Sequence, residues 1–214
     1  MNNTNYNLNE WINPEYLNKE KQKEINSNYL NSTPYEHFFL DNFLREDKIN
    51  EIIVALKYEK YYLEDSDLYQ FLRTHDFSNS KNNRVIYEFR NFLLSSEFRG
   101  FLEKLTSSKI VEDKISVHSL NFKKTNYLLC HDDVVDNRQF AFIFNLTKNW
   151  KNGDGGEFDM FLSNETGDVL PEFSQSVEPI FNRFYLFKVQ RTSYHQVSEV
   201  VSEIDRLTIG GWYY

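Results

Sequence analysis

Tyr127-Leu128-Leu129-Cys130-His131-Asp132-Asp133 is the stretch of this 214-residue sequence that decides both the expected fold and the expected chemistry. Side chains two apart on a β-strand point to the same face, so we expect His131 and Asp133 to project together, with Leu129, while Asp132 points away. One imidazole and one carboxylate on one face are two thirds of a 2-His-1-carboxylate triad, which holds Fe(II) and leaves coordination positions open. The pair alone is a weak signal, because His-x-Asp recurs by chance.

A later histidine and an arginine strengthen the prediction. His195 lies in a strand-like run and can supply the third metal ligand, so that the three ligating groups should converge within roughly 4 Å of one another. Arg206 opens the last apolar run of the chain, 206–214, where a guanidinium needs an anionic partner. The distal carboxylate of 2-oxoglutarate matches its planar fork. A structural carboxylate could also pair with Arg206, and a zinc hydrolase could use the same three ligands without explaining the arginine.

Composition and charge exclude several classes of protein. The net charge of -8 leaves no basic surplus to neutralise phosphates, so we expect no nucleic-acid partner. A single cysteine, Cys130, excludes an internal disulfide and a cysteine-built zinc site, and it fits a reducing compartment. Neither a signal peptide nor an apolar stretch long enough to span a bilayer is visible. The expectation is a soluble cytoplasmic protein without a membrane partner.

The first half of the chain has the periodicity of helices. Residues 1–35 are predicted to be a helical N-terminal extension, and residues 36–41 a first strand. Residues 61–83 are polar and are predicted to be a mobile connection with a short helix near Leu68–Leu72. Apolar residues recur at helical spacing in three further segments, the last of them after an N-cap at Ser95 or Ser96: 49–56, 85–93 and 98–105.

From residue 115 onward the sequence has the character of strands. Short runs rich in Phe, Tyr, Ile and Val are separated by breaks that contain Gly, Asn or Asp. They cover 115–121, 126–133, 139–147, 156–162, 183–189, 194–200 and 206–214. Helices followed by a cluster of strands predict an α+β chain whose second half is a β-sandwich or barrel.

Four of these segments resemble the ribosomal-protein prolyl hydroxylases, a family of Fe(II)- and 2-oxoglutarate-dependent dioxygenases. They are 127–133, 138–144, 194–200 and the ending 211–213. The resemblance implies a double-stranded β-helix (jelly-roll, cupin-like) core in residues 36–214, braced by the N-terminal helices. It implies Fe(II) on His131, Asp133 and His195, and 2-oxoglutarate on Arg206.

The resemblance also implies an activity. O₂ would be the oxidant, with ascorbate as a reductant, and the substrate would be a prolyl residue of a ribosomal or translation-related protein. Hydroxylation would release succinate and CO₂. Two other functions are compatible with the sequence: the same chemistry on a free amino acid or peptide metabolite, and a non-catalytic jelly-roll binding module.

One departure from the family pattern concerns a tyrosine. Relatives elsewhere in the superfamily place a tyrosine hydroxyl on 2-oxoglutarate from the strand that follows the first metal ligands. Here that stretch reads Ile143-Phe144-Asn145-Leu146, without a tyrosine. Tyr127 is the predicted substitute.

Overall fold

The helices lie in the first half of the chain, as the apolar periodicity predicts. The computed structural model describes residues 5–214. Short 3-10 helices occupy Pro14–Leu17 and Phe77–Asn79. Among these described residues the five α-helices are α1 (Leu8–Trp11), α2 (Lys19–Leu30), α3 (Glu46–Leu56), α4 (Arg84–Leu94) and α5 (Ser96–Thr106).

Local chemistry accounts for where these helices begin and which face they bury. Ser95 caps α5, because its hydroxyl accepts a hydrogen bond from the backbone N–H of Phe98. On α3, Ile49, Ile52 and Leu56 are buried, which is the one-sided pattern that drives an amphipathic helix onto a core. Both features were predicted from the sequence.

In the described part of the chain, eleven strands form one strongly curved sheet. Their bounds are β1 (His37–Leu40), β2 (Tyr61–Ser66), β3 (Tyr69–Thr74), β4 (Ile115–Phe122), β5 (Tyr127–His131), β6 (Phe140–Asn145), β7 (Phe158–Ser163), β8 (Val169–Val177), β9 (Phe184–Lys188), β10 (His195–Val197) and β11 (Arg206–Tyr213). The spatial order is β1-β9-β6-β11-β4-β3-β5-β10-β7-β8, with β2 paired to β3. Every printed pairing in the sheet is antiparallel.

The curved sheet folds into two facing halves, which is the predicted jelly-roll core. The first half is β1-β9-β6-β11-β4 and the second is β5-β10-β7-β8. Strand β3 joins them, since Leu72 and Arg73 pair with β4 while Tyr69 and Gln70 pair with β5. Apolar side chains from both halves meet between them, among them Phe122, Phe158 and Phe187.

A second core lies on the outer side of the first half, where the helices pack. Trp11 stacks on Phe92 of α4 with ring centroids 4.6 Å apart and an interplanar angle of 8°. Ile25 and Tyr29 of α2 belong to the same buried cluster as Phe144 of β6. The N-terminal helices therefore brace the sheet as predicted, while the division of the chain into 1–35 and 36–214 stays a prediction. Within residues 5–214, no helix is long and apolar enough to cross a membrane.

One prediction about an irregular segment is wrong, and one strand was missed. Residues 61–74 form the β2–β3 hairpin rather than a mobile connection with a helix near Leu68–Leu72. The polar side chains of β2 fit an edge strand that pairs with β3, since edge strands carry charge on their open side. Strand β8 was not predicted at all. It lies at the other end of the sheet and contains Pro171, which interrupts the strand pattern and which an edge strand tolerates.

Candidate active site

Three side chains that could bind a metal meet where β5 and β10 pair. His131 ends β5, Asp133 follows two residues later, and His195 begins β10 directly opposite His131. The Nε2 atoms of His131 and His195 lie 3.7 Å and 3.6 Å from the two carboxylate oxygens of Asp133. One ligand atom from each residue lies within 4.8 Å of the others. These ligand atoms are slightly farther apart than the roughly 4 Å expected for atoms that each lie about 2.0–2.2 Å from one metal ion.

Backbone hydrogen bonds fix which imidazole nitrogen is free to bind a metal. His131 Nδ1 lies 2.8 Å from the carbonyl oxygen of Leu129, and His195 Nδ1 lies 2.8 Å from that of Ser193. A carbonyl oxygen accepts, so each Nδ1 carries the proton and each Nε2 presents its lone pair to the cluster. Such orientation by a neighbouring acceptor is the usual arrangement of metal-binding histidines.

The charges of the cluster favour a cation. Burial, and then the neighbouring His131, lower the pKa of His195 to about 4, against the opposing effect of Asp133. At neutral pH the His195 imidazole is therefore neutral, which is the form that binds metals. Phe158 stacks on His195 with centroids 5.0 Å apart, and Phe187 meets it edge-on at 4.7 Å. This side of the cluster is therefore lined by apolar rings.

The predicted alternation along β5 is only partly right. His131 and Asp133 do share the inner face, but Leu129 is 44% exposed and Leu128 lines the cavity instead. The pairing of β5 with β10 explains why Leu128, and not Leu129, faces the cavity. His195 pairs with His131 and Val197 pairs with Leu128, so two steps along β10 correspond to three steps along β5. The irregularity inserts one extra residue into β5, so the strict period of two is interrupted between Leu128 and His131.

A cavity of about 360 Å³ connects the three candidate metal ligands with Arg206. Its volume is in the range of sites for small molecules and cofactors. Arg206 and Thr208 on β11 contribute to its wall, as do Ala141 and Ile143 on β6. The sequence-predicted metal ligands and the predicted co-substrate arginine therefore lie in one cavity.

Arg206 is buried and has no anionic partner among the described residues. The side chain is 3% exposed, and its Nε is buried without a hydrogen bond. Burial lowers the pKa of Arg206 to about 10, while Glu157 acts in the opposite direction. No ion pair within residues 5–214 involves this guanidinium. The alternative in which Arg206 pairs with a structural carboxylate is thus not what the fold shows.

Tyr127, the predicted substitute for the missing tyrosine, is not among the residues that line the cavity; its neighbour Leu128 is.

Arg138 and Trp212 also line the cavity, and neither was predicted. The Arg138 guanidinium lies 3.7 Å from the centre of the Trp212 ring and 3.5 Å from Asp133. Arg138 Nε and Trp212 Nε1 are buried donors without partners. The sequence did contain a signal for Trp212. It is six residues from Arg206 on β11, and residues an even number apart on a strand share one face.

Residues 117–214 match the family model described as the 2OG-Fe(II) oxygenase superfamily, so this part of the chain is a 2OG-Fe(II) oxygenase domain. The match includes all three candidate metal ligands and Arg206. A superfamily of this description implies Fe(II) and 2-oxoglutarate, with O₂ as the oxidant. The residues present fit both groups, because the His-Asp-His set suits Fe(II) and the unpaired guanidinium suits a carboxylate.

The chain also has homologues named prolyl 3-hydroxylase. OGFOD1 of Xenopus laevis is 32% identical over 187 residues, which are 86% of this chain and 36% of that protein. Sudestada1 of Drosophila melanogaster is 30% identical over 222 aligned positions, covering 97% of this chain and 40% of that protein. The chain therefore spans less than half the length of these relatives.

Solved structures support the fold. A prolyl-4-hydroxylase of Pseudomonas putida superposes with a TM-score of 0.67, covering 90% of this chain and 98% of that one. The sequences are 14% identical, so this likeness concerns the fold alone. It agrees with the jelly roll braced by helices that the sequence predicts.

Proposed function

We propose that this protein is an Fe(II)- and 2-oxoglutarate-dependent dioxygenase that hydroxylates a prolyl residue of a protein. The observation that carries the proposal is the unpaired, buried Arg206 in the same cavity as His131, Asp133 and His195. A zinc hydrolase would use the three ligands but would have no need of this guanidinium. When bound, Fe(II) and 2-oxoglutarate supply the oxidation of a substrate C–H bond by O₂, with release of succinate and CO₂.

Each residue of the site has a defined task in this proposal. His131, Asp133 and His195 hold the metal through two Nε2 atoms and one carboxylate oxygen. Arg206 orients 2-oxoglutarate by binding the carboxylate farthest from the metal. Phe158 and the other aromatic rings behind His195 keep water away from the reacting centre. The role of Tyr127 on 2-oxoglutarate stays a prediction, and the cavity lining, which includes its neighbour Leu128 instead, gives it no support.

The substrate side of the cavity supports a peptide. Arg138 Nε and Trp212 Nε1 are donors in need of acceptors. Arg138 lies 3.5 Å from Asp133, and its guanidinium lies over the Trp212 ring. Backbone carbonyls of an extended peptide are such acceptors. The exposed apolar side chains of Leu68 and Val135 extend the cavity wall outward. The sequence resemblance supports a ribosomal or translation-related protein as the substrate. The single cysteine supports a reducing compartment such as the cytoplasm.

The test is turnover with and without peptide. Purified protein is incubated with Fe(II), ascorbate, 2-oxoglutarate and a panel of proline-containing peptides from ribosomal proteins, with free proline as the small-molecule comparison. We expect succinate formation and the gain of one oxygen atom on a prolyl residue. His195→Ala is the matched negative control. Oxidation of free proline alone would favour a metabolic enzyme, and the absence of any succinate from the iron-loaded protein would favour a binding module.

A further inference from the structure

A guanidinium approaches the carboxylate of Asp133 beside the two histidines. Asp133 is buried, and within residues 5–214 three nitrogen atoms lie at ion-pair distance from its carboxylate, none of them in a hydrogen bond. His131 Nε2 and Arg138 Nη1 lie 3.7 Å and 3.5 Å from Oδ1. His195 Nε2 lies 3.6 Å from Oδ2. The guanidinium therefore approaches one carboxylate oxygen, and the other oxygen faces a histidine alone.

Contacts with β11 hold this guanidinium beside the carboxylate. It lies 3.7 Å from the centre of the Trp212 ring, which is a cation–π contact. The backbone N–H of Gln139, the next residue, donates to the carbonyl of Tyr213, the residue after Trp212. Only 18% of the Arg138 side chain is exposed. Arg138 thus lies between a candidate metal ligand and the last strand of the sheet.

The way in which a carboxylate binds the metal decides how many coordination positions stay open. A 2-His-1-carboxylate set occupies one face of the metal when the carboxylate binds through a single oxygen. On the opposite face, 2-oxoglutarate takes two places through its keto acid end, and O₂ needs the last. Carboxylates also bind metals through both oxygens. If Asp133 bound in that way, its second oxygen would compete for the position that O₂ needs.

We propose that Arg138 is a positioning residue that keeps Asp133 bound to the metal through one oxygen only. This inference rests on the proposed function. The guanidinium would hold Oδ1 through a charge-assisted hydrogen bond and leave Oδ2, which faces His195, for the metal. The distance of 3.5 Å is longer than such a bond, but hydrogen bonds of this kind tighten when an active site is loaded. Arg138 Nε is still free to donate to a peptide.

Nitric oxide tests the position that O₂ needs without any turnover. Anaerobic Fe(II)-loaded protein with saturating 2-oxoglutarate is titrated with nitric oxide, and electron paramagnetic resonance measures the nitrosyl complex. Arg138→Met removes the guanidinium but keeps an unbranched stem. The loss of one hydrogen bond to a charged group should lower the fraction of molecules with an open position, and so raise the Kd for nitric oxide, by about 10- to 100-fold. Metal content and 2-oxoglutarate affinity should be retained.

Arg99→Met is the matched control. The Arg99 side chain is 20% exposed, has a buried Nε without a partner and forms an ion pair with Asp113, but it does not line the cavity. Its substitution should leave nitric oxide binding unchanged.

The outcomes separate this inference from the proposed function. Wild-type affinity for nitric oxide in Arg138→Met would overturn the inference, and so would loss of the metal itself. Arg138→Gln decides the matter if the methionine variant does not fold: its neutral amide should raise the Kd in the same direction by a smaller factor, and an unchanged Kd would overturn the inference. Iron-loaded wild-type protein that does not bind 2-oxoglutarate would instead overturn the proposed function.

Discussion

Gly156→Ala places a methyl group against the stem of Arg206. An ideal Cβ at Gly156 would lie 2.7 Å from Arg206 Cδ and 3.4 Å from Nε. Gly156 also has φ +78°, a conformation that side chains disfavour, so part of the effect of any substitution is backbone strain. Gly153 supplies the matched control. Its φ is +95°, and a Cβ there would meet nothing within 4 Å.

The size of the effect follows from the overlap. Ordinary van der Waals contact begins at 3.4 Å, so the Arg206 stem must retreat by about 0.7 Å (3.4 minus 2.7). A hydrogen bond of about 2.9 Å stretched by that amount reaches roughly 3.6 Å, where it is lost. One hydrogen bond to a charged group is worth about 1.5–3 kcal/mol. Gly156→Ala should therefore raise the Kd for 2-oxoglutarate about 10- to 100-fold relative to Gly153→Ala.

Calorimetric titration of both Mn(II)-loaded variants with 2-oxoglutarate measures this difference. Thermal unfolding in parallel reports the strain, which we expect to be of order 1–2 kcal/mol in each variant. Oxalate chelates a metal but has no distal carboxylate, and its affinity should be equal in the two, because a Cβ at Gly156 would meet Arg206 and, at 3.2 Å, Val200, but none of the metal ligands. Equal 2-oxoglutarate affinity in Gly156→Ala and Gly153→Ala would show that Arg206 does not hold the ligand in the position inferred here.

Three further perturbations test the site and the fold. His131→Ala and His195→Ala should each abolish turnover and stoichiometric metal binding, measured by metal analysis after gel filtration; near-normal iron-dependent activity would remove the residue from the triad. Arg206→Lys keeps the charge but loses the fork, so the apparent affinity for 2-oxoglutarate should fall roughly 10- to 100-fold while metal content is retained; an unchanged requirement for 2-oxoglutarate would contradict its role. Burial raises the pKa of Asp76, but the hydrogen bonds that it accepts lower it more, leaving it below its ordinary value of 3.8. The Asp76 carboxylate therefore stabilises the fold above that pH, and this stabilisation is lost as the pH falls below it. In denaturant titrations, the difference in unfolding free energy between wild type and Asp76→Asn should shrink from pH 6 to pH 3. A difference that stays constant would refute this.

The features that were predicted from sequence are those that local patterns determine. Apolar spacing located α3, α4 and α5, and runs of aromatic and branched residues located seven of the eleven strands, with β1 predicted separately. The metal ligands were identified because His131 and Asp133 lie two apart at the end of one strand. Arg206 was identified because a charge in an apolar strand needs a partner.

The features that were missed depend on pairing between distant segments. The polar character of residues 61–83 suggested a connection, because nothing local indicates an edge strand attached to β3. The extra residue in β5 exchanged Leu128 and Leu129, and a bulge of this kind becomes visible only in the register with β10.

The role of β3 as the strand that joins the two halves of the jelly roll has a consequence for the order in which ligands bind. The metal ligands His131 and His195 belong to one half, and Arg206 to the other. A diacid held at both places would tie the halves together at a second point, inside the cavity. Trp212 is on the same strand as Arg206, so the surface that meets the substrate would become fixed once the co-substrate is in place. We therefore expect compulsory-order kinetics, with 2-oxoglutarate binding first and the peptide second.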